Sequence, residues 1–586
     1  MIRRRSGVVL FVVVIVIALV SLAAYSFSIL MRSELHAARL HADQVQTQMM
    51  TESGLSYLNS WAESTRSQRE SFGGIEVNEL LFRNILVDGT SDPLRPGLFS
   101  IVRPPMVRSE LAEIDEFALN NENAAELPML TFGLVDESSK LHLETILAWD
   151  TEQPGAGRTA LMSLPNMTES TADAILDWID EDNEVREFGA ESEYYTSLDP
   201  RREPANAIPR SLQELLQVRG VTVELLFGFD RNHNYTIEEF ERPQLHQQQN
   251  DGQPQNELTS GEGDQSQSQE SKDQPSDRQD ATRIAPARPN DRQQDDPLVI
   301  PEPWCRFLTV TSAEHNHDFF GQPRINLNAP DLGSLHRSLQ ARFGSDIAKF
   351  VVAVRQSGLY KGSKSPNSQP LPSWKPNVPP SFELTSVGSL HNAKVALGDK
   401  DDPTIYQSPW AGTGETSDSV EFAEFCDSVT LVDLAVVSGR INIMSAPREV
   451  LMAIPELTTE HVDQILIARS QDPGRDPNSV QRPSPYWLVE EEIMSANTFE
   501  QLSPYLTMSG DVFRCQIVGY YTDNSPIHRI EVIVDGTDDT PRPVYYTDLT
   551  RLGRGFELRQ LLSPIEATAG VPASNGSPAR QTLPPR

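Results

Sequence analysis

The sequence predicts an α+β protein carried on one long N-terminal helix, and three observations predict it. An uncharged apolar run opens the chain and passes without a break into an amphipathic helical pattern. The middle of the chain carries repeated helix, turn, helix patterns. From Asp511 the hydrophobic period shortens to that of strands, in VFRCQIVGYY and HRIEVIVDG, with RPVYYTDLTRL as a third. At 586 residues the chain is too long for one ordinary core, so at least two folded domains are expected besides the N-terminal segment.

The uncharged run is Val8 to Met31, 24 residues broken only by Ser21, Ser26 and Ser28. As a helix it spans roughly 36 Å, enough for a bilayer core. Arg3, Arg4 and Arg5 precede it and favour the cytoplasmic side, which puts the residues after Met31 outside the cytoplasm. A cleavable signal, with Ser21 to Ser26 as a loose small-residue site, is the competing reading. The anchor is favoured because Leu35, Ala38, Ala42, Val45 and Met49 continue at helical spacing to about Ser60, as they would in a helix that also packs against partners.

Beyond the helix, the sequence VRSELAEIDEFALNNENAAEL predicts one helix in the mixed segment 65–130. LMSLPNMTESTADAILDWIDED predicts two short helices joined at Pro165 and Asn166. Thr168 is the expected N-cap, and Ala172, Ile175, Leu176 and Ile179 make one apolar face. Another helical hairpin is expected over Ser211–Gly228, broken at Gly220. Segment 243–300, rich in Gln, Pro and Asp, has almost no large apolar residue before Ile284 and is expected to be a disordered insertion.

An internal echo follows the insertion. RINLNAP at Arg324 to Pro330 recurs as RINIMSAP at Arg440 to Pro447. Each copy reads as a short strand leading to a helix start around Asn326 and Asn328 or Asn442 and Ser445, with Asn328 and Ser445 expected as caps. TTEHVDQILIAR predicts a further helix with Val462, Ile465 and Leu466 inward.

Charge and motifs narrow the chemistry. The 83 acidic against 49 basic residues give a net charge of -34, which opposes a phosphate backbone as partner. Cys305, Cys426 and Cys515 are too few and too scattered for a disulfide scaffold and form no CxxC; one disulfide with a spare thiol stays open, with no pair selected. HExxH, GxSxG and Walker patterns are missing and no catalytic constellation stands out, so an enzyme is not expected. His315 and His317, an HxH beside Asp318 in SAEHNHDFFG, are of a type that can ligate a metal, but an isolated HxH in a polar loop reads rather as surface.

The strongest site motif is DRNHNYTIEEFE, Asp230 to Glu241. Counted from Asp230, oxygen donors fall at loop positions 1, 3 and 5 (Asp230, Asn232, Asn234), at 7 (the Thr236 carbonyl), at 9 (Glu238) and at 12 (Glu241). Calcium takes such a set of hard oxygens. Tyr235 stands where this loop normally needs Gly. The competing reading is a polar loop whose Asp and Asn side chains make turns.

A basic leader ending in Gly7 before an apolar helix resembles the start of type IV pilin-like proteins. That resemblance implies cleavage between Gly7 and Val8 by prepilin peptidase and methylation of the new amine. Most such proteins carry Glu at the fifth mature position, here Val12; a tip subunit lacks it, having no neighbour above whose amine would pair with the charge. With FGLVDESSKLHL (Phe132 to Leu143), YTSLDP (Tyr195 to Pro200), SLQELLQVRGVTVELLFG, INLNAP with its repeat, and YYTDL (Tyr545 to Leu549), the order of motifs resembles the type II secretion minor pseudopilin K family. Here His142 and Glu144 replace the asparagines of the first repeat copy.

The resemblance implies a pilin-like α/β domain with a large, mostly helical, SAM-like insertion, and calcium in some members. The expected organisation is a leader at 1–7, a transmembrane helix at 8–31 and its amphipathic continuation at 32–60. Pilin-like parts follow at 61–135 and 506–565. Helical SAM-like regions occupy 136–242 and 301–505 around the 243–300 insertion, and a tail covers 566–586. The implied role is capping the tip of a periplasmic pseudopilus and priming its assembly for protein secretion. The expected partners are other minor pseudopilins, inner-membrane secretion components and the lipid bilayer, with no nucleic acid. The implied location is the inner membrane, single-pass, with the N-terminus cytoplasmic and the bulk periplasmic. The alternative is a membrane-anchored extracytoplasmic scaffold whose helical hairpins bind another protein.

Overall fold

The computed structural model describes residues 6–88, 94–105, 130–242, 300–367, 369–373, 375, 377–399, 402–411, 416–470, 482–523, 525–538 and 540–562. The helix expected over 107–127, nearly all of the 243–300 insertion, the basic leader before Ser6 and the 566–586 tail lie outside the described residues.

Helix α1 runs from Ser6 to Ala62, 57 residues, roughly 85 Å at the α-helical rise. It is long and apolar enough to cross a membrane, and its most apolar stretch is wholly uncovered by the rest of the chain. Its second half lies on a sheet and buries Thr47, Met50, Thr51, Leu58 and Trp61. The apolar stripe expected to pack is therefore on the other side: Leu35, Val45 and Met49 are exposed. Small threonines face the sheet because the backbones approach closely there, and Thr47 and Thr51 return their hydroxyls to the helix carbonyls of Asp43, Gln44 and Gln48.

Strands β1 (Ile85–Asp88), β2 (Gly97–Arg103), β3 (Thr131–Phe132) and β4 (Val135–Asp136) precede the helical region. Within it are β5 (Leu141–His142), β6 (Leu308–Thr309), β7 (Ala313–His315), β8 (Ile325–Asn326), β9 (Lys394–Gly398), β10 (Pro403–Gln407), β11 (Val429–Thr430), β12 (Val436–Ser438), β13 (Ile441–Asn442) and β14 (Leu506–Thr507). After it come β15 (Val512–Tyr521), β16 (His528–Asp535) and β17 (Arg542–Asp548). The main sheet is antiparallel in the order β1-β2-β15-β16-β17, with β3 on β2 and β4 on β15. The chain thus leaves the sheet after β4, builds the helical region, and re-enters it beside β2.

Inside the insertion, one architectural device occurs three times. A two-residue strand opens a helical unit and pairs in parallel with a two-residue strand that closes it: β5 with β6, β8 with β11, β13 with β14. Each closing strand ends in threonine, Thr309, Thr430 or Thr507. Thr309 donates to Glu137 and Thr507 to Glu314, while Thr430 accepts from Asn316. Leu141–His142 is the opening strand of the first unit, the copy whose asparagines are lost.

Two sequence expectations are corrected here. Asn328 and Ser445 do not cap helices. Helix Leu332–Phe343 is capped by Asp331, and Arg448–Met452 starts after Pro447 with no side-chain cap. Asn326 and Asn442 instead accept the amide two residues ahead, and Asn328 bridges to the backbone of Leu384 and Leu431. Short amide side chains favour these local turns over capping wherever the chain still has to bend before its helix. Second, residue 301 does not begin the second helical region. Trp304, Phe307 and Leu308 belong with the first unit, and the Trp304 indole donates to the Pro165 carbonyl at 2.8 Å. One apolar cluster runs from Leu141 to Met508 through both regions. Thr168 does cap Glu169–Ile179, whose apolar face is buried. Cys305, Cys426 and Cys515 are all unpaired.

Candidate cation sites

Loop 230–241 leaves the first helical unit and lies against the sheet. The Asp230 carboxylate accepts the amides of Asn234 and Tyr235, and Glu241 accepts those of Arg231, Asn232 and Glu238. The first and twelfth positions thus hold the loop closed from both ends. Tyr235 adopts φ 64, the left-handed turn that Gly supplies without strain, so the sharp bend is made at a cost of ~1–2 kcal/mol. Its ring is inserted beside Phe556 and packs on the core of the sheet, which offsets that cost.

Sheet residues grip the same loop. Arg529, fully buried in β16, donates to the carbonyls of His233 at 2.9 Å, Asn232 at 2.5 Å and Gly553 at 3.2 Å. Gln516 donates to the His233 carbonyl. His233 faces Glu531, whose carboxylate raises the imidazole's pKa. Burial raises that of Asp230.

The donor set fits a hard cation in kind. Asn232 Oδ1 is enclosed without a partner. The amide nitrogens of Asn232 and Asn234 face the two oxygens of Glu238, both at 3.2 Å. Turning the Asn232 amide over would direct its oxygen towards Glu238, whereas Asn234 Oδ1 is held by the Thr236 amide at 2.8 Å.

A second oxygen cluster went unread in the sequence. Asp177 and Asp180 stand at the end of helix Glu169–Ile179, and Glu191 precedes Ser192–Thr196; one oxygen from each lies within 4.8 Å of the others. Arg186 reaches in and bonds Asp177 at 2.8 Å, Asp180 at 2.5 Å and Asp150 at 3.0 Å. Glu191 is 5% exposed, and among the described residues no side chain pairs with its carboxylate; the Ser192 amide is the polar group beside it. Burial, then the charges of Asp177 and Asp180, push its pKa up to about 7. Gly189 is required beside it, because a Cβ there would meet Asp177 Oδ2 at 1.8 Å. The signal was present as DWID followed by GAE, but acidic residues are too common in this chain to single it out.

Within the loop, Asp230, Asn232, Asn234, Glu238 and Glu241 are linked by hydrogen bonds, and the Thr236 amide donates to Asn234. The repeat residues Asn326, Asn328, Asn442 and Ser445 belong to other units. Gly7 and Val8 lie in the first turn of α1, and Val12 is 52% exposed on it.

Residues 151–227 match the family model described as type II secretion system (T2SS), protein K. The match contains the whole of the Asp177, Asp180 and Glu191 cluster and ends just before loop 230–241. No curated protein and no solved structure matches the chain.

Proposed function

The chain is a member of the type II secretion system protein K family by its residues 151–227, and from that premise we propose that it is the minor pseudopilin that caps the tip of the pseudopilus and primes its assembly. The observation that carries this reading is the insertion of the helical body between β4 and β15. A body of that size beside the sheet that rides on α1 obstructs stacking at every level of a thin filament, whereas one copy fits at an end.

The exposed stripe of Leu35, Val45 and Met49 supplies α1 with a face for neighbouring helices. Val12 suits a subunit with no neighbour above it. Cleavage between Gly7 and Val8 and a periplasmic body belong to the same reading. Immunogold labelling of sheared pseudopili tests it: label at one end of each filament is expected, and label along the length would contradict it.

Calcium is proposed as the ion of the oxygen clusters, held by Asp177, Asp180 and Glu191 and by the 230–241 loop. Bound at the first cluster it would neutralise Glu191 and share Asp177 and Asp180 with Arg186, which already pairs with them. Glu191 gives a pH test. A carboxyl whose folded pKa lies above its unfolded value holds its proton longer in the fold, so stability falls as pH rises from about 4.5 to about 7. In chelator, the melting temperature is expected to fall over that interval, and Glu191→Gln to remove much of the fall. Calcium is expected to raise the wild-type melting temperature at pH 8 and to do so less in Glu191→Gln. Equal calcium responses in the two proteins would remove Glu191 from the site.

A further inference from the structure

A cleft of about 320 Å³ opens where the end of α1, the helical insertion and the sheet meet. His315 and His317 stand in it, ring on ring, with centroids 5.0 Å apart and planes 3° from parallel. The polar-loop reading of this HxH is thereby corrected: His315 ends β7, which pairs with β12.

Asp511 holds the three bodies together at this point. One carboxylate oxygen accepts the His315 amide at 2.8 Å and faces His315 Nδ1 at 3.2 Å; the other accepts from Arg69, just beyond α1, at 2.5 Å. The Asp511 amide donates to Ala313 of β7, and its carbonyl accepts from Gly536 at the end of β16. A single residue thus ties the insertion to the short helix after α1 through its side chain and to the end of β16 through its backbone.

We propose that His315 and His317 form a proton-operated clasp between the insertion and the unit of α1 and sheet, tight with one proton on the pair and loose with none or two. The neutral Nδ1–H tautomer of His315 can already donate to Asp511; the added proton turns that hydrogen bond into an ion pair and strengthens the bridge to Arg69. Two protons would place two cations face to face 5.0 Å apart.

The surrounding charges set the window. Asp511 raises the His315 pKa, with Asp535 adding to it and Arg69 opposing. Burial and then the His315 charge lower that of His317, with Arg324 adding to them and Asp511 and Asp318 opposing. Around the cleft, Arg324 lies near Glu314 and Asp427, Asp318 takes Arg342, and Asp538 takes Arg542. Glu63 and Arg66, the latter paired with Glu70, complete the charged lining. The His315 contribution is present at low pH and lost as pH rises through its raised value. The His317 contribution is present at high pH and lost as pH falls through its lowered value. The clasp is therefore tightest between the two.

The test is hydrogen–deuterium exchange of the full chain in detergent from pH 5 to 9, corrected for the intrinsic exchange rate, read on peptides covering 310–320 and 508–515. Protection is expected to peak at intermediate pH in the wild type. His315→Gln is expected to abolish the peak. His317→Gln is expected to keep the alkaline loss and remove the acid one. A flat wild-type profile, or an unchanged peak in His315→Gln, would overturn the proposal. Should His315→Gln fail to fold, an unchanged acid limb in His317→Gln would overturn it alone.

Discussion

Gly519→Val is expected to lift α1 from the sheet and to lower the stability of the folded chain by ~3 kcal/mol or more. Gly519 lies in β15, the central strand, directly beneath the helix. A Cβ at this position would sit 2.3 Å from the Thr47 carbonyl oxygen, 3.0 Å from Met50 Cβ and 3.1 Å from the Thr51 amide nitrogen. Two of these are backbone atoms of a helix and cannot turn aside, so the helix itself has to move. Its movement would expose Met50, Leu58 and Trp61 and break the contact of Thr51 Oγ1 with His528 Nδ1 at 2.8 Å. Thermal melting of the full chain in detergent, together with protease cleavage within α1, reads the effect. Gly519→Ala is expected to shift both in the same direction by less. A Gly519→Val chain that melts like the wild type would show that the helix does not rest on the sheet this closely.

The second large effect is expected from Arg529→Leu. The guanidinium is fully buried and is the donor to three carbonyls, those of Asn232, His233 and Gly553. Leucine fills some of the volume but leaves those carbonyls without that donor. Each such loss costs ~1–3 kcal/mol, and Gln516 retains a bond to only one of them. The expected result is a loss on the order of 3 kcal/mol or more and a loosened 230–241 loop, with weaker calcium binding by titration calorimetry. Arg529→Lys keeps the charge but not the fork and is expected to fall between the two. Wild-type stability in Arg529→Leu would mean that the sheet does not hold the loop.

The sequence was most legible where its periods were long. The apolar run into α1, the alternation of β15 and β16, and the capped helix Glu169–Ile179 each repeat a pattern often enough to be read. The pairing of β2 with β15 was not legible, because over 400 residues separate partners such as Val102 and Gln516 and neither strand names the other. The three parallel pairs failed for the opposite reason. Two-residue strands such as Leu308–Thr309 are too short to show a period, and only the RINLNAP echo betrayed the unit they close.

For the candidate sites, the spacing of Asp230 to Glu241 was visible, while Asp177, Asp180 and Glu191 were hidden by the acidity around them. What distinguishes Glu191 is that its carboxylate is buried and, among the described residues, paired with no cationic side chain, and burial depends on the fold. The stripe of Leu35, Val45 and Met49 was legible as a pattern, but its outward direction was not, since only the sheet beneath α1 decides which side is covered.

The proposed entry of α1 into a pilin-like assembly as a processed pseudopilin helix is tested most directly by the mature N-terminus. Mass spectrometry of the first peptide of the membrane-extracted protein is expected to find a chain beginning at Val8 with a methylated amine. An intact Met1, or a start near Ala24 or later, would contradict it.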